Sequence, residues 1–330
     1  MAPRILVAVI GLALTLGYAQ AQAILGAEPN SYPNRAIRII VPFPPGGPAD
    51  MIARLVGQRM SEDWGQPVLI ENRAGGNTAI GAQAAAGSPP DGYTLLAAMD
   101  TTLVLNPLVT PHLPYDPLTD FAPITLLIKT VALVVVRSDG PKTIKELIAK
   151  AKANPGKLNM GAGTITSRLG ALQFAKAAEI DVQLVPFKGS AEIGQAVLAG
   201  TVDFALDSTG TSLPLIEGGR YRALAKYTNR PLPILPDLPS LSAAAELPSL
   251  EESSTWVALV APAGTPAAII GKIHGELARI HADIPLRAKL EKVGIELAVS
   301  ASPAEFESFI RGETDRWSKV LKESGNLKLD

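Results

Sequence analysis

Short apolar runs alternate with amphipathic stretches along almost the whole chain. The runs at 37–41, 68–71, 93–97, 158–160, 183–187, 202–206 and 256–261 read as buried strands. Helical spacing predicts helices over 78–86, 144–153, 168–178, 193–199, 266–280, 285–292 and 303–324. A further helix begins near Met51, where Ile52, Leu55, Val56 and Met60 fall on one face. The last helix has a clear start signal, because Ser302 and Glu305 form a capping-box pair around Pro303 at the first helical position. Strand and helix in regular alternation predict an α/β fold with largely parallel sheets.

The junction between the first strand and first long helix is Pro42-Phe43-Pro44-Pro45-Gly46-Gly47-Pro48-Ala49-Asp50. Its prolines stiffen the approach, while Gly46 and Gly47 admit a ligand close to backbone N–H groups. Pro48 suits the first helical position and Asp50 the third, so the loop delivers an anion to the positive end of a helix. The alternative is a rigid turn with no ligand. The arrangement recurs at Gly161-Ala162-Gly163-Thr164-Ile165-Thr166-Ser167, ahead of a helix expected from Arg168. As a dinucleotide motif it fails at Thr166, but its hydroxyls and N–H groups suit a small carboxylate.

Further loops follow strands in the same manner: Phe187-Lys188-Gly189-Ser190, Asp207-Ser208 and Met99-Asp100-Thr101-Thr102. In open α/β sheets ligands sit outside the carboxyl ends of strands, so these segments form one rim. The candidate ligand-binding residues are therefore Phe43, Pro44, Gly46, Gly47, Ala49, Asp50, Asp100, Thr101, Gly161, Gly163, Thr164, Thr166, Ser167, Lys188, Gly189 and Asp207. Asp50 and Asp100, on a rim that otherwise seeks anions, would disfavour ligands with several carboxylates unless Lys188 or Arg168 offsets them. The alternative has Asp50 capping its helix and Asp100 pointing to solvent, while Lys188 is equally readable as a surface ion-pair partner.

Composition narrows the classes. The chain has 330 residues, 47% hydrophobic, with 30 basic against 31 acidic side chains, and no charge block suggests nucleic acid. It has no cysteine, which excludes disulfides and thiolate chemistry. Arg4, the apolar run 5–16 and the small residues of Ala19-Gln20-Ala21-Gln22-Ala23 read as a secretory signal over 1–23, cleaved after Ala21 or Ala23. The run is well short of the ~20 residues of a transmembrane helix, so the mature chain is expected to be exported, periplasmic and not membrane-embedded. Its length suits two lobes. Chain crossings at 131–138 and 251–257 would divide it into a first lobe of 24–136 plus 254–330 and a second of 137–253.

Catalytic groups are scarce. His112 falls in a loop, and His274 and His281 stand two turns apart on one helix, a spacing read as a solvated face rather than a zinc pair. No serine-hydrolase elbow, zinc-protease motif or complete phosphate-binding loop occurs. Glu251-Glu252 and Asp203/Asp207 read as surface and rim acids. No catalytic residue, metal or cofactor is expected.

Several segments together carry a resemblance. The loop 42–50, Glu71-Asn72-Arg73, Pro90-Asp91-Gly92-Tyr93-Thr94-Leu95, Leu113-Pro114-Tyr115-Asp116-Pro117, Asp120-Phe121-Ala122-Pro123-Ile124 and Ala261-Pro262-Ala263-Gly264-Thr265-Pro266 resemble, in fixed order, the Bug/TctC family. These are solute-binding proteins of tripartite tricarboxylate transporters. The resemblance spans about 32–325. It implies a two-lobed periplasmic-binding-protein (Venus flytrap) fold that closes on a small carboxylate, held by backbone N–H groups and waters from loops matching 43–50 and 161–167. It further implies a monomeric receptor delivering its ligand to membrane permease subunits. The chain departs from the pattern at Arg168, where the family has histidine, at Phe187 for tyrosine, and at Met99-Asp100. Two rival readings use the same rim: a co-sensor presented to a membrane sensor kinase, and a hydrolase or lyase, which would turn its ligand over.

Overall fold

A computed structural model describes residues 32–323 except 249, 251–253 and 293. The expected signal segment with its cleavage sites, Glu251-Glu252 and Ser324 lie outside the described residues.

The chain runs β1 (Ile37–Val41), α1 (Pro48–Trp64), β2 (Val68–Asn72), α2 (Ala79–Ala86), β3 (Thr94–Met99), a π turn (Thr101–Leu105), α3 (Asn106–Val109) and β4 (Phe121–Arg137). It continues through α4 (Ile144–Ala153), β5 (Asn159–Ala162), α5 (Ile165–Ala177), β6 (Gln183–Pro186), α6 (Ser190–Ala199), β7 (Phe204–Ser208), α7 (Thr209–Glu217), β8 (Tyr221–Lys226) and α8 (Leu241–Ala244). It ends with β9 (Ser254–Pro262), α9 (Ala267–His281), α10 (Ile284–Glu291), β10 (Ile295–Leu297) and α11 (Pro303–Glu323).

Two lobes are built on the two ends of β4. Its first part pairs with β9 through Phe121–Val131 and with β10, whereas from Ala132 onward it pairs with β7 and β8. The first lobe completes its sheet with β2, β1 and β3, and the second with β5 and β6. Parallel pairing holds for β1 with β2 and β3, and for β5 with β6 and β7. The middle of each sheet differs from the parallel expectation, because β4 and β9 both run antiparallel to their neighbours. Pro123 lies in β4 without a ladder donor to give, and the register shifts between Pro123 and Thr125.

Local chemistry sets the element ends near the cleft. Gly65 in the left-handed conformation (φ 64°) stops α1. Helix α5 begins at Ile165, three residues earlier than its spacing suggests, because the Thr164 hydroxyl accepts the Ser167 N–H and caps it. Likewise α6 begins at Ser190 rather than Ile193; Glu192 in its first turn reaches back to accept the Lys188 N–H at 3.1 Å. Helix α7 and strands β8 and β10 were not anticipated. Pro214 lies inside α7, and β10 has only three residues.

Each sheet has a core on both faces. In the first lobe, Trp256, Phe306, Leu103 and Trp317 form one of them, and Ile165 and Leu169 of α5 join that cluster. The other side of α5 packs Phe174 and Ala171 into the second lobe. One helix therefore contributes to both cores. The histidines correct an expectation. His281 is 1% exposed, with Nδ1 2.7 Å from the Leu277 carbonyl and Nε2 2.7 Å from that of Leu127, and burial pulls its pKa below the ordinary value. His274 is half-buried, with Nε2 2.9 Å from the Ser300 carbonyl. Their helix face lies against β4 and the segment after β10, since His281 continues the buried Ile273–Leu277–Ile280 stripe.

Leu169 is fully buried between the lobes. We expect Leu169→Ala to cost about 2–5 kcal/mol. Urea unfolding followed by tryptophan fluorescence and by circular dichroism checks this, and both probes should move together.

Candidate functional site

The loop after β1 is held by one carboxylate. Asp50 Oδ2 accepts the Gly46 N–H and Arg54 Nε, each at 3.0 Å, while Oδ1 accepts Asn72 Nδ2 at 2.9 Å. Asn72 Nδ2 also donates to the Phe43 carbonyl. Burial alone would raise the Asp50 pKa, but the donors from Arg54, Gly46 and Asn72 hold it below the ordinary value. Gly46 takes the left-handed conformation the turn requires (φ 89°), and Gly47 is the extended N-cap of α1. Asp50 is thus the brace of the loop, facing inward at 4% exposure, and the Gly46 N–H is spent on it.

The second loop is shorter than its motif suggests. Gly161 lies inside β5, where a Cβ would stand 3.2 Å from the Phe187 ring, so it serves packing. The turn is Gly163-Thr164, with the Gly163 N–H given to Ser167 Oγ at 3.0 Å. A Cβ on Gly163 would meet Ile193 at 3.3 Å, and one on Gly189 would lie 3.8 Å from Pro44 of the opposite lobe. The first loop therefore meets the Gly189 turn of the second lobe at van der Waals range.

Between them lies a cleft of about 730 Å³, open mouth included. Of the expected residues, Phe43, Pro44, Gly47, Ala49, Gly163, Thr164, Ser167, Gly189 and Asp207 line it. Thr101 and Lys188 line an adjoining compartment that shares Phe43, Pro44, Gly163 and Thr164 with the cleft. Gly46, Asp50, Asp100, Gly161 and Thr166 line neither. Sequence reasoning missed Thr130 and Thr255 in the cleft and Asn77 and Thr78 beside it, while Ser190 and Ser208, which also line the cleft, fell in the rim loops without being singled out. Thr130 and Thr255 face one another across β4 and β9, with hydroxyls 2.5 Å apart. Nothing local marks them out, whereas Gly189-Ser190 at a strand-to-helix junction carried a readable signal.

Asp100 reverses its expected place. It is 0% exposed; Oδ1 accepts the Thr101 N–H at 2.8 Å, and Oδ2 accepts the Thr166 hydroxyl of the second lobe at 2.6 Å. Burial pushes its pKa up to about 7, against the pull of these two donors, with Glu313 adding to the rise. Neither Asp50 nor Asp100 lines the cleft or the compartment beside it, so neither presents its carboxylate directly to a ligand there.

No lysine or arginine lines the main cleft. The starts of α1, α5 and α6 converge on it, and Ser208 at the start of α7 borders it. Their first-turn N–H groups lack intrahelical acceptors and carry the positive end of each helix dipole. On the wall, Asp207 is 4% exposed; its Oδ2 accepts Ser212 and Thr211, and the Ser190 hydroxyl and Ser208 N–H also stand close enough to favour its ionised form. Burial raises the Asp207 pKa, moderated by the surrounding hydroxyls. The cleft thus offers the first-turn N–H groups of three helix starts. Among the described residues no group of three or more histidine or acidic side chains is placed to hold a metal ion. No helix among them is long and apolar enough to cross a membrane.

Comparison with known proteins agrees with this geometry. The family model for the tripartite tricarboxylate transporter family receptor matches residues 52–326. A protein encoded in the tcbD-tcbE intergenic region of Pseudomonas sp. strain P51 is 35% identical over 324 residues, 97% of this chain and 94% of its own. Among solved structures, Rpa4515 of R. palustris with adipate superimposes with TM-score 0.86 at 32% identity, over 89% of this chain and 99% of that one. MatC from Rhodopseudomonas palustris with bound malate gives 0.80 at 29% identity, over 88% and 100%.

The raised pKa of Asp100 has a signed consequence. A carboxyl whose folded pKa exceeds its unfolded value of about 3.9 stabilises the fold most at low pH. That contribution is lost as pH rises from about 4 through about 7, because the folded state binds more protons than the unfolded state there. The urea-derived stability of the wild type should therefore fall more steeply between pH 5 and pH 8 than that of Asp100→Asn. The expected difference between the two slopes is on the order of 2–4 kcal/mol over the range. Parallel profiles would show that Asp100 does not titrate in this window.

Proposed function

Because this chain belongs to the tripartite tricarboxylate transporter receptor family, a family of solute receptors and not of enzymes, we propose that it captures a small organic carboxylate between its lobes and hands it to a membrane permease. The observation that carries this reading is the convergence of helix starts from both lobes on a cleft with no basic side chain. A carboxylate held there exchanges its water for backbone N–H donors already aimed and already desolvated. The related structures with adipate and with bound malate support a carboxylate as the ligand. On this reading the protein works in the periplasm after cleavage of its leader past Ala21 or Ala23.

Closure follows from the same geometry. The ligand touches Gly47 and Ala49 on one lobe and Thr164 and Ser190 on the other only when the lobes are together. It therefore favours the closed form by its difference in affinity for the two forms. The crossing at Val131/Ala132 of β4 is the proposed hinge, five residues before the 136/137 boundary expected from the sequence, because Ala132–Val136 pair with β7 of the second lobe.

Gly47→Val is the direct test. A Cβ at Gly47 meets nothing within 4 Å and the backbone there is extended, so the variant should melt within a few degrees of the wild type. Its branched side chain would occupy the approach to α1, and calorimetric titration with a carboxylate identified by thermal-shift screening should show an affinity loss of about tenfold or more. Unchanged affinity in a folded variant would remove this loop from the site. Saturation with the same carboxylate should also shrink the radius of gyration in small-angle scattering, whereas an identical radius would argue for a rigid cleft.

A further inference from the structure

A carboxylate of the protein already stands where the cleft turns its helix starts towards a ligand. Asp207 is the penultimate residue of β7, directly ahead of α7, and the hydroxyls of Ser212 and Thr211 donate to it at 2.9 and 3.2 Å. The Ser190 hydroxyl, on the first residue of α6, and the Ser208 N–H also favour its charge, so this one side chain answers the starts of two helices. Asp207 and Ser190 both line the cleft. Glu192 lines it too, but is exposed in the first turn of α6, where it accepts the Lys188 N–H. No cation faces Asp207 from the elements packed on it. Arg168 on α5 and Lys188 ahead of α6 line the adjoining compartment instead, and Arg168 Nη2 is given to Asn77 Oδ1 and the Gly163 carbonyl. Lys226 on β8 lies two strands away, since both it and Asp207 are register partners of Leu133 on β4. Tyr221 on β8 gives its hydroxyl to the Gly194 carbonyl, and neither β5 nor the first two turns of α7 carry an ionisable side chain. Burial raises the Asp207 pKa, and only neutral donors oppose it. A ligand carboxylate bound at the start of α6 therefore joins a second carboxylate in the same enclosed site. Two like charges so placed do not both stay ionised, and one takes a proton.

We propose that the protein captures its carboxylate together with a proton, which Asp207 holds while the ligand is bound. The proposal rests on the carboxylate-receptor reading above and adds the proton as a second bound species. The proton comes from water or buffer and forms an O–H bond on the Asp207 carboxylate; no other covalent bond changes, and the two carboxylates then carry one negative charge in place of two. Ser190 connects them. Its single O–H turns to an ionised Asp207 when the cleft is empty. Once Asp207 is protonated, it donates to Ser190 Oγ, and the Ser190 O–H is released to the ligand. The positive ends of α6 and α7 then act on the ligand alone. The loaded form binds more protons than the empty form, so affinity falls as pH rises between the Asp207 pKa of the empty form and that of the loaded form, by at most about tenfold per pH unit.

The test is calorimetric titration of the mature chain with hexanoate, adipate, malate and norleucine between about pH 6 and pH 9, at each pH in two buffers of unlike ionisation enthalpy, so that the heat difference counts the protons taken up. For the tightest of the first three acids, the wild type should take up about half a proton or more within this range, and Kd should weaken about tenfold or more from its low end to its high end. Asp207→Asn keeps the shape and removes the charge. Its Kd should stay within about twofold across the range, its uptake should vanish, and at the high end it should bind more tightly than the wild type. The histidines and Asp100 are the same in both proteins, so the difference isolates Asp207. Should Asp207→Asn fail to fold, Ser190→Ala takes its place: the ionised form loses a donor, and the fall in affinity should move to higher pH. Affinity independent of pH with no uptake in the wild type, while Gly47→Val weakens binding, defeats this proposal alone. Uptake that persists in Asp207→Asn assigns the proton to another group and also overturns it. Norleucine that binds more tightly than hexanoate without uptake, by a preference lost in Asp207→Asn, would make Asp207 the partner of a ligand ammonium and overturn it too. Absence of binding by every probe defeats it together with the receptor reading.

Discussion

A single 17-residue strand, β4, belongs to both sheets, and the rest of the molecule is arranged around the point where its partners change. Up to Val131 it pairs with β9, and from Ala132 with β7. Where a ladder changes hands, a backbone carbonyl is left to find another donor or remain unsatisfied in the interior. The Val131 carbonyl accepts the Thr209 hydroxyl at 2.8 Å, from the first residue of α7. Thr130, Ala132 and Thr255 at this crossing line the cleft, so the seam between the lobes is also a wall of the site.

Two buried carboxylates show how donors compete with desolvation. Asp50 receives hydrogen bonds from Gly46, Arg54 and Asn72, one of them from a guanidinium, and its pKa falls despite burial. Asp100 is wholly enclosed and receives only the Thr101 N–H and the Thr166 hydroxyl, and its pKa rises to about 7. Asp50 therefore keeps its charge and fixes a loop. Asp100 sits near the midpoint of its titration at neutral pH, in a contact that joins the lobes. With both acids turned inward, the potential in the cleft is left to helix starts, and that of the adjoining compartment to Arg168 and Lys188.

The sequence carried much of this and hid the remainder for identifiable reasons. The first loop was legible because proline, glycine and a third-position acid are local signals, and Pro48 and Asp50 occupy the first and third helical positions as read. Asp50 as loop brace was legible only as an alternative, since Arg54 stands four residues away but Asn72 arrives from β2. Asp100 was not legible at all: its enclosure depends on α5 from the other lobe and on Glu313 and Arg316 from the last helix. The early start of α5 turned on one Thr164 hydroxyl, and an i, i+3 apolar pattern does not register a cap. His281 was misread because spacing alone treats histidine as polar, whereas two backbone carbonyls make a buried imidazole acceptable. The antiparallel middle of each sheet depends on which distant strands meet, and short windows of sequence are silent on that.

The two sides of the cleft are tied with unequal strength. On the α5 side, Ile165 and Leu169 are buried in the core of the first lobe, and Thr166 bonds to Asp100. Pulling that turn free exposes two large aliphatic side chains, at about 1.5–3 kcal/mol each, and breaks a buried hydrogen bond. On the α6 side, Gly189 faces Pro44 across van der Waals distance without a hydrogen bond between them. The cheaper motion is therefore a parting of Pro44 from Gly189 while α5 stays docked. A micromolar ligand supplies only about 8 kcal/mol in all, so an opening that undocked α5 would consume most of what binding returns. Ionisation of Asp100 changes this balance, because a charged carboxylate gains more from water than a neutral one. The Thr166 hydroxyl favours the ionised carboxylate while burial disfavours it, so the tie through α5 rests on opposed effects, whereas Pro44 and Gly189 meet only by van der Waals contact.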